Sequence, residues 1–241
     1  MRYAIISDVH ANIDALVTVL DKIDSMSIDQ VVCLGDVVGY NAAPNECSRI
    51  LRERGIPTIM GNHDAVSSGI EEPWGFNPVA LAAVMWTREK LNEENTDWLK
   101  SLPDALNFGY FVAVHGAPKN HNAYLFSWED ILPHLYFLEE QNVNICLIGH
   151  THNPGIFSAD GVYTVDSDSK FSLGTDKSFF INPGSVGQPR DSDPRSSFGI
   201  VDTEENTYEQ VRVAYAIDRA AKRIIEGGLP AFLAERLSIG R

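Results

Sequence analysis

Positive charge is scarce in this chain. Its 241 residues carry 19 Lys and Arg against 33 Asp and Glu, a formal charge of −14. A surface of that sign repels nucleic-acid backbone and anionic lipid at long range, so a basic strand-binding groove is disfavoured. Cysteine is scarce as well: Cys33, Cys47 and Cys146 make three, without close spacing. That excludes a disulfide framework and a zinc ribbon. Cys33 and Cys146 lie inside the apolar runs VVCLG and NICLIG. They read as small buried hydrophobes, which suits a reducing cytoplasm. No apolar run approaches the ~20 residues needed to cross a bilayer, and the apolar run before Asp8 is too short for a secretory signal. With 44% apolar residues, no internal repeat, no low-complexity tract and no long linker, residues 1–241 are expected to form a single domain.

The pattern that is present alternates strands and helices. Arg2 to Ser7, Gln30 to Leu34 and Thr58 to Met60 read as three short buried strands. Between them Ile13, Leu16, Val17, Leu20 and Ile23 fall on one helical stripe, with Asn12 as N-cap, and a second helix spans Asn45 to Arg54. Such alternation implies a parallel α/β sheet. Helices are expected over Pro78 to Leu91, Thr96 to Leu102 and Ile131 to Gln141, and strands over Phe111 to His115 and Val143 to Ile148. After Thr151 the texture changes to short β runs: Gly155 to Phe157, Val162 to Val165, Phe179 to Asn182, Phe198 to Asp202 and Tyr208 to Val213. These suggest a mostly antiparallel second sheet. Helices over Ala216 to Glu226 and Ala231 to Leu237 close the chain.

Five motifs carry chemistry: Asp8-Val9-His10, Gly35-Asp36, Gly61-Asn62-His63-Asp64, His115-Gly116 and Gly149-His150-Thr151-His152. Each follows or ends a predicted strand, and in an open α/β sheet those loops form the ligand crevice. Asp-x-His has about 0.5 occurrences expected by chance, but Gly-Asn-His-Asp only about 0.002, so coincidence does not explain the set. Five of the seven histidines fall in these motifs; His121 and His134 read as surface or packed residues, with His121, six residues past His115, also able to line the site. Carboxylate, imidazole and amide-oxygen ligands suit first-row metals such as manganese, iron, zinc or nickel. A shared carboxylate lets two such ions sit ~3.5–4 Å apart, where they bind phosphoryl oxygens and acidify a bridging water. Asp36, on the middle strand of the first three, is best placed to bridge.

The order of these motifs resembles the calcineurin-like metallophosphoesterase superfamily. The resemblance implies a four-layer α/β/β/α sandwich of two mixed sheets flanked by helices. It also implies two divalent ions, one on Asp8, His10, Asp36 and His152, the other on Asp36, Asn62, His115 and His150. His63 would protonate the leaving oxygen, and Asp64 would hold the His63 tautomer. The stretches Gly35 to Tyr40 and Asn182 to Arg190 resemble those of small bacterial and archaeal phosphodiesterase-like members. The second is a Gly/Pro-punctuated loop with one Arg, so Gly184, Ser185 and Arg190 are candidate substrate contacts. Protein phosphatases of the superfamily carry an Asp-Arg pair shortly after Gly-Asp. Here Gly39-Tyr40 stands there, which disfavours that activity and makes Tyr40 and Asn12 candidate pocket walls. Trp74, Trp86, Trp98 and Trp128 read as packing residues, with Trp74 and Phe76 also able to stack on a nucleobase.

The expected activity is hydrolysis of a small phosphodiester, or of a phosphoanhydride or phosphomonoester, by metal-bridging hydroxide. The alternatives are a dinucleoside polyphosphate hydrolase and a non-catalytic metal-binding interaction module; His63 argues against the module. The expected partner is a small phosphate ester or nucleotide, with no membrane role. Oligomeric state is open, a homodimer included.

Overall fold

The computed structural model describes every residue except Val165 and Asp168. The first half of the chain runs β1 (Arg2–Ile6), α1 (Ile13–Asp24), β2 (Gln30–Cys33), α2 (Pro44–Glu53), α3 (Asn62–Ser68), α4 (Pro78–Lys90) and α5 (Glu93–Lys100). It continues through β3 (Ala105–Asn107), β4 (Val112–Val114), α6 (Trp128–Ile131), α7 (Leu135–Gln141) and β5 (Ile145–Leu147). The remainder is β6 (Gly155–Ser158), β7 (Gly161–Tyr163), β8 (Lys170–Ser172), β9 (Phe179–Asn182), β10 (Ser196–Asp202), β11 (Thr207–Val213), α8 (Ile217–Glu226) and α9 (Ala231–Leu237).

Two mixed sheets result, in the orders β2-β1-β10-β11-β8 and β3-β4-β5-β9-β6-β7. The two-residue period of a strand sorts its side chains to opposite faces. In β1, Tyr3 and Ile5 pack between the sheets with Ile145, Leu147 and Ile181. Ala4 and Ile6 face Leu16, Val19 and Leu20 of α1. On the far side, Val112, Val114 and Cys146 pack under Ile131, Phe137 and Leu138 of α6 and α7. These three cores make the four layers α/β/β/α. No helix among the described residues is long and apolar enough to cross a membrane.

Several expected elements differ. Thr58 to Met60 forms no strand. It contributes a single parallel bridge, Cys33 to Thr58, because the Met60 amide turns away to the Pro103 carbonyl and α3 starts two residues on. The helix expected over Ile131 to Gln141 is broken by a 3-10 turn at Leu132–His134, where Pro133 lacks an amide hydrogen. Helix α5 begins at Glu93 because the Asn92 side chain caps the Asn95 amide at 2.9 Å. The late strands do not form a sheet of their own: β8, β10 and β11 complete the first sheet, and β6, β7 and β9 the second. Of the expected strand Val162 to Val165, Val165 lies outside the described residues, and β7 ends at Tyr163.

Strands β1 and β2 are parallel, as are β4, β5 and β9. The loops at their carboxyl ends meet at one end of the sandwich. The amides of Asp8, His10 and Ala11 bond the carbonyls of Gly35, Asp36 and Val37, and those of Val186 and Gly187 bond the carbonyls of Ser7 and Asp8.

Candidate metal centre

Backbone strain positions the centre. Asp8, His10, Ala11, Asp36, Tyr40, His150 and His152 all have left-handed backbones, with φ between 48° and 67°. For residues with a Cβ this costs roughly 1–2 kcal/mol each, and it persists where the surroundings over-determine the loop. Gly61 is required by close approach: a Cβ there would lie 2.1 Å from Asp36 Oδ1. Without it, the Gly61 turn sits tightly against Asp36, and the His63 amide donates to Asp36 Oδ1 at 2.9 Å.

Three imidazoles are fixed through Nδ1. His10 Nδ1 lies 3.0 Å from the Val38 carbonyl, His115 Nδ1 2.7 Å from that of Leu34, and His152 Nδ1 2.6 Å from that of Gln188. A carbonyl only accepts, so Nδ1 carries the hydrogen and Nε2 of a neutral ring presents a lone pair. Those Nε2 atoms converge. His10 Nε2 and His152 Nε2 are 3.0 Å apart. His152 Nε2 is 3.3 Å from Asp8 Oδ1, and Asp36 Oδ2 lies 3.5 Å from His10 Nε2 and 3.3 Å from His115 Nε2.

Two lone pairs at that separation, beside two carboxylates, call for a cation. Among the described residues two groups have this capacity: Asp8, His10, Asp36 and His152, and Asp36, His115 and His150. Asn62 Oδ1, His115 Nε2 and His150 Nε2 are buried without a hydrogen-bond partner, the signature of atoms awaiting a ligand. The residues therefore fit two ions that share Asp36. Asp8 is held by Ser7 Oγ at 2.6 Å and by the His150 amide at 3.2 Å.

Electrostatics suit the same purpose. Burial works against charge on Asp8 and Asp36, yet His152 beside the first and His115 beside the second hold both carboxyls below the usual range. Burial pushes His10 and His152 down, and His150 down to about 3. His115 resists burial because of Asp36 and is drawn up to about 9. Burial lowers His63 to about 4 against the pull of Asp36, with Arg190 adding to the fall.

The other expected site residues divide. The Tyr40 ring lies 4.4 Å from the His63 ring and 4.6 Å from that of His10. The Arg190 guanidinium sits 5.6 Å from the Tyr40 ring centre. A cavity of about 200 Å³ beside the centre is lined by Tyr40, Asn62, His63, Trp74, Phe76 and Tyr124. Asn12, by contrast, is no pocket wall: its oxygen caps Ala15 and its amide donates to the Gly187 carbonyl. Ser185 is fully buried, donating to the Asp8 carbonyl and accepting from the Gln188 amide. Gly184 packs on Ser197, which a Cβ would meet at 2.7 Å. These three build the scaffold and do not line the cavity.

Asp64 also departs from expectation. Its oxygens accept the amide hydrogens of Val38 and Gly61, each at 3.1 Å. Among the described residues no hydrogen bond joins it to His63, whose Nδ1 is buried without a partner. Asp64 thus ties two site loops together and does not set a tautomer. Burial and Asp36 raise its carboxyl to about 7.

Sequence reasoning misses Tyr124, whose ring lies 4.0 Å from that of His150, and Gln188, which anchors both His152 and Arg190. Tyr124 stands in no distinctive motif, whereas Gln188 lies inside the Asn182 to Arg190 stretch, from which only Gly184, Ser185 and Arg190 are drawn as candidate contacts. Trp74 is 87% exposed at the cavity rim, whereas Trp86 donates to the Gly227 carbonyl. His121 pairs with Glu71 at 3.1 Å and lines a neighbouring cavity of about 310 Å³ that also reaches His115.

Comparison with known proteins agrees with this architecture. A family model described as the calcineurin-like phosphoesterase superfamily domain matches residues 1–206. An uncharacterized protein of Methanocaldococcus jannaschii is 36% identical over 242 residues, covering 99% of this chain and 98% of its own. The crystal structure of a metallophosphoesterase from Sphaerobacter thermophilus superposes with a TM-score of 0.88 at 34% identity, covering 100% of this chain and 99% of that one. A hypothetical protein from Pyrococcus horikoshii shares the fold, with a TM-score of 0.81 at 20% identity over 100% of this chain and 98% of that one. From the strand-end motifs through the sandwich that gathers them, the chain belongs to the calcineurin-like phosphoesterase superfamily.

Proposed function

We propose that this protein hydrolyses a small phosphodiester, using two divalent first-row ions and His63. The observation that carries the reading is the pair of buried half-sites sharing Asp36, with His63 beside them at the cavity wall. Ions bound there supply a nucleophile by acidifying water, and they neutralise phosphoryl oxygens.

The protein's own groups supply the rest. Asp36 Oδ2 faces both half-sites while Oδ1 is fixed by the His63 amide, so one carboxylate sets both the shared ligand and the position of the acid. Tyr40 and Phe76 close on the His63 ring, with ring centres 4.4 and 5.0 Å away. In that apolar setting His63 is neutral at rest. A phosphoryl anion placed against it restores its proton, which it then donates to the leaving oxygen. The buried free thiols suit a reducing compartment such as the cytoplasm.

The test is direct. Protein stripped of metal and reconstituted with manganese should release p-nitrophenol from bis(p-nitrophenyl) phosphate, stop on chelation and resume on metal return. No release with manganese, iron, zinc or nickel overturns the reading.

Gly39 gives a second check. A Cβ at this position would lie 2.3 Å from His63 Nδ1, and its φ is +92°. Gly39→Ala should displace the imidazole by about an ångström and lower kcat about 10²-fold, with metal content unchanged by elemental analysis. Unchanged kcat would separate His63 placement from activity.

A further inference from the structure

The loop after β4 folds back tightly on itself. A Cβ on Gly116 would lie 2.7 Å from the Ala123 carbonyl oxygen and 2.8 Å from that of His121, so glycine is what lets the chain turn there. Ala117 and Asn120 hold the turn by exchanging backbone hydrogen bonds at 3.0 and 2.9 Å. The loop delivers His121 to the cavity of about 310 Å³ and Tyr124 to the one of about 200 Å³, while Asn122 borders both.

Both cavities reach the same half-site. His115 is a wall of the larger and His150 of the smaller, and these two histidines belong with Asp36 to one candidate ion site. Among the described residues, the further hollow between Glu72 and Trp74 that Asn122 also borders is lined by none of the candidate ligands. A phosphodiester has two ester arms, and a phosphoryl group at this half-site has two cavities to receive them. The cavities differ in chemistry. Tyr40, Trp74, Phe76 and Tyr124 line the smaller one, together with His63. Aromatic faces of that kind stack on a planar ring. The larger one is lined by Glu71, Asp104 and His121. His121 Nε2 lies 3.1 Å from Glu71 Oε1 yet without the alignment of a hydrogen bond, and its Nδ1 is 4.0 Å from Asp104 Oδ1. Lys119, in the same wall, is engaged by α7, where its ammonium lies 2.9 Å from Glu140 Oε2 and 5.2 Å from the Tyr136 ring centre. Carboxylates in a cavity wall accept hydrogen bonds from a ligand that donates them.

We propose that the substrate is a diester of two unlike alcohols. A planar aromatic arm lies in the cavity of Trp74 and Tyr124. An arm that donates hydrogen bonds, through a hydroxyl or an ammonium, lies in the cavity of Glu71 and His121. This rests on the phosphoesterase reading above. His63 lines the aromatic cavity, so the aromatic alcohol is the one released. The oxygen of water bonds to phosphorus as the bond from phosphorus to the aromatic arm's oxygen breaks. That oxygen leaves with the His63 proton, the proton given up by water replaces it through solvent, and the donor arm stays on the phosphate as a monoester.

The test holds the leaving arm constant. Diesters of p-nitrophenol carry as their second arm a propyl chain, or the same chain ending in a hydroxyl or an amine, and are compared at constant free manganese. kcat/KM should be about tenfold higher for the hydroxyl or the amine ester than for the propyl ester, and the better of the two shows which donor the cavity takes. Glu71→Ala and Asp104→Ala combined should bring that ratio close to one, whereas Trp74→Ala, at the other cavity, should preserve it. Equal kcat/KM for the three esters overturns the donor cavity, as does a ratio that survives loss of both carboxylates. A diester of benzyl alcohol and the hydroxyl-ended chain, whose two alcohols leave with similar ease, shows which arm departs. Benzyl alcohol is the expected product, and benzyl phosphate would overturn the assignment. The rise in melting temperature with this ester over benzyl propyl phosphate reads the same preference without turnover. A protein that shows the rise yet cleaves nothing would overturn the catalytic reading and leave the two arm sites standing. One that cleaves bis(p-nitrophenyl) phosphate without distinguishing the arms would keep the catalysis and overturn this proposal.

Discussion

Asp36→Asn is expected to empty both half-sites together. The substitution keeps the side-chain shape and an oxygen for the His63 amide, so the Gly61 turn should survive. What it removes is the charge that Asp36 Oδ2 offers to both groups of ligands at once. Elemental analysis should find close to two ions per chain in the unaltered protein and close to none in the variant. Diester hydrolysis should fall at least about 10³-fold, equivalent to roughly 4 kcal/mol of lost transition-state stabilisation. His150→Ala is the contrast, because it belongs to one group only and should cost one ion. An Asp36→Asn protein that keeps one tightly held ion would show that the half-sites are independent.

The second large effect concerns His63. His63→Ala should leave metal content intact and lower kcat by about 10²–10⁴-fold for esters with poor leaving groups. A poor leaving group departs only with a proton, whereas p-nitrophenolate departs almost unaided, so its hydrolysis should fall far less. Plotting rate against leaving-group basicity should therefore give a steeper line for the variant. Parallel lines would mean that His63 binds the phosphoryl group without donating a proton. This measurement also separates an enzyme from a metal-binding scaffold of the same fold, because a scaffold has no use for His63.

The candidate metal ligands are legible in the sequence for a physical reason. Asp8, Asp36 and His150 each stand one small residue past an apolar run, behind Ser7, Gly35 and Gly149, and an ionisable group at that point has left the core for the strand-end crevice. The four-layer sandwich follows from the same motifs through resemblance, and the cores around Tyr3, Ala4 and Cys146 realise it. What the sequence does not disclose is direction. Asn12, Gly184 and Ser185 lie close to site residues along the chain, yet their polar atoms or backbones turn toward neighbouring loops. Asp64 follows His63 immediately, yet its oxygens reach backwards to Val38 and Gly61. Tyr124 arrives through tertiary packing alone, from a segment whose local pattern marks nothing, and Gln188 acts from within the Asn182 to Arg190 loop through a backbone carbonyl that no residue type announces. Pairing between sheets is hidden for the same reason: β8 and β3 are three residues long, too short for periodicity to register.

The site also does something for the architecture that holds it. Asp8, His10, Asp36 and Asn62 hang from one sheet, and His115, His150 and His152 from the other. Each half-site draws on both. An ion in either one would thus add a cross-brace between two layers already tied at this end by the bonds from His115 to the Leu34 carbonyl and from the His150 amide to Asp8. It resists sliding of one sheet over the other at the end where the reaction takes place. Opening the sandwich there must release the ions, so resistance to unfolding should climb with free metal, by about 1.4 kcal/mol for each tenfold excess over the dissociation constant of a site. The clasp that would perform the chemistry is also a rivet of the fold.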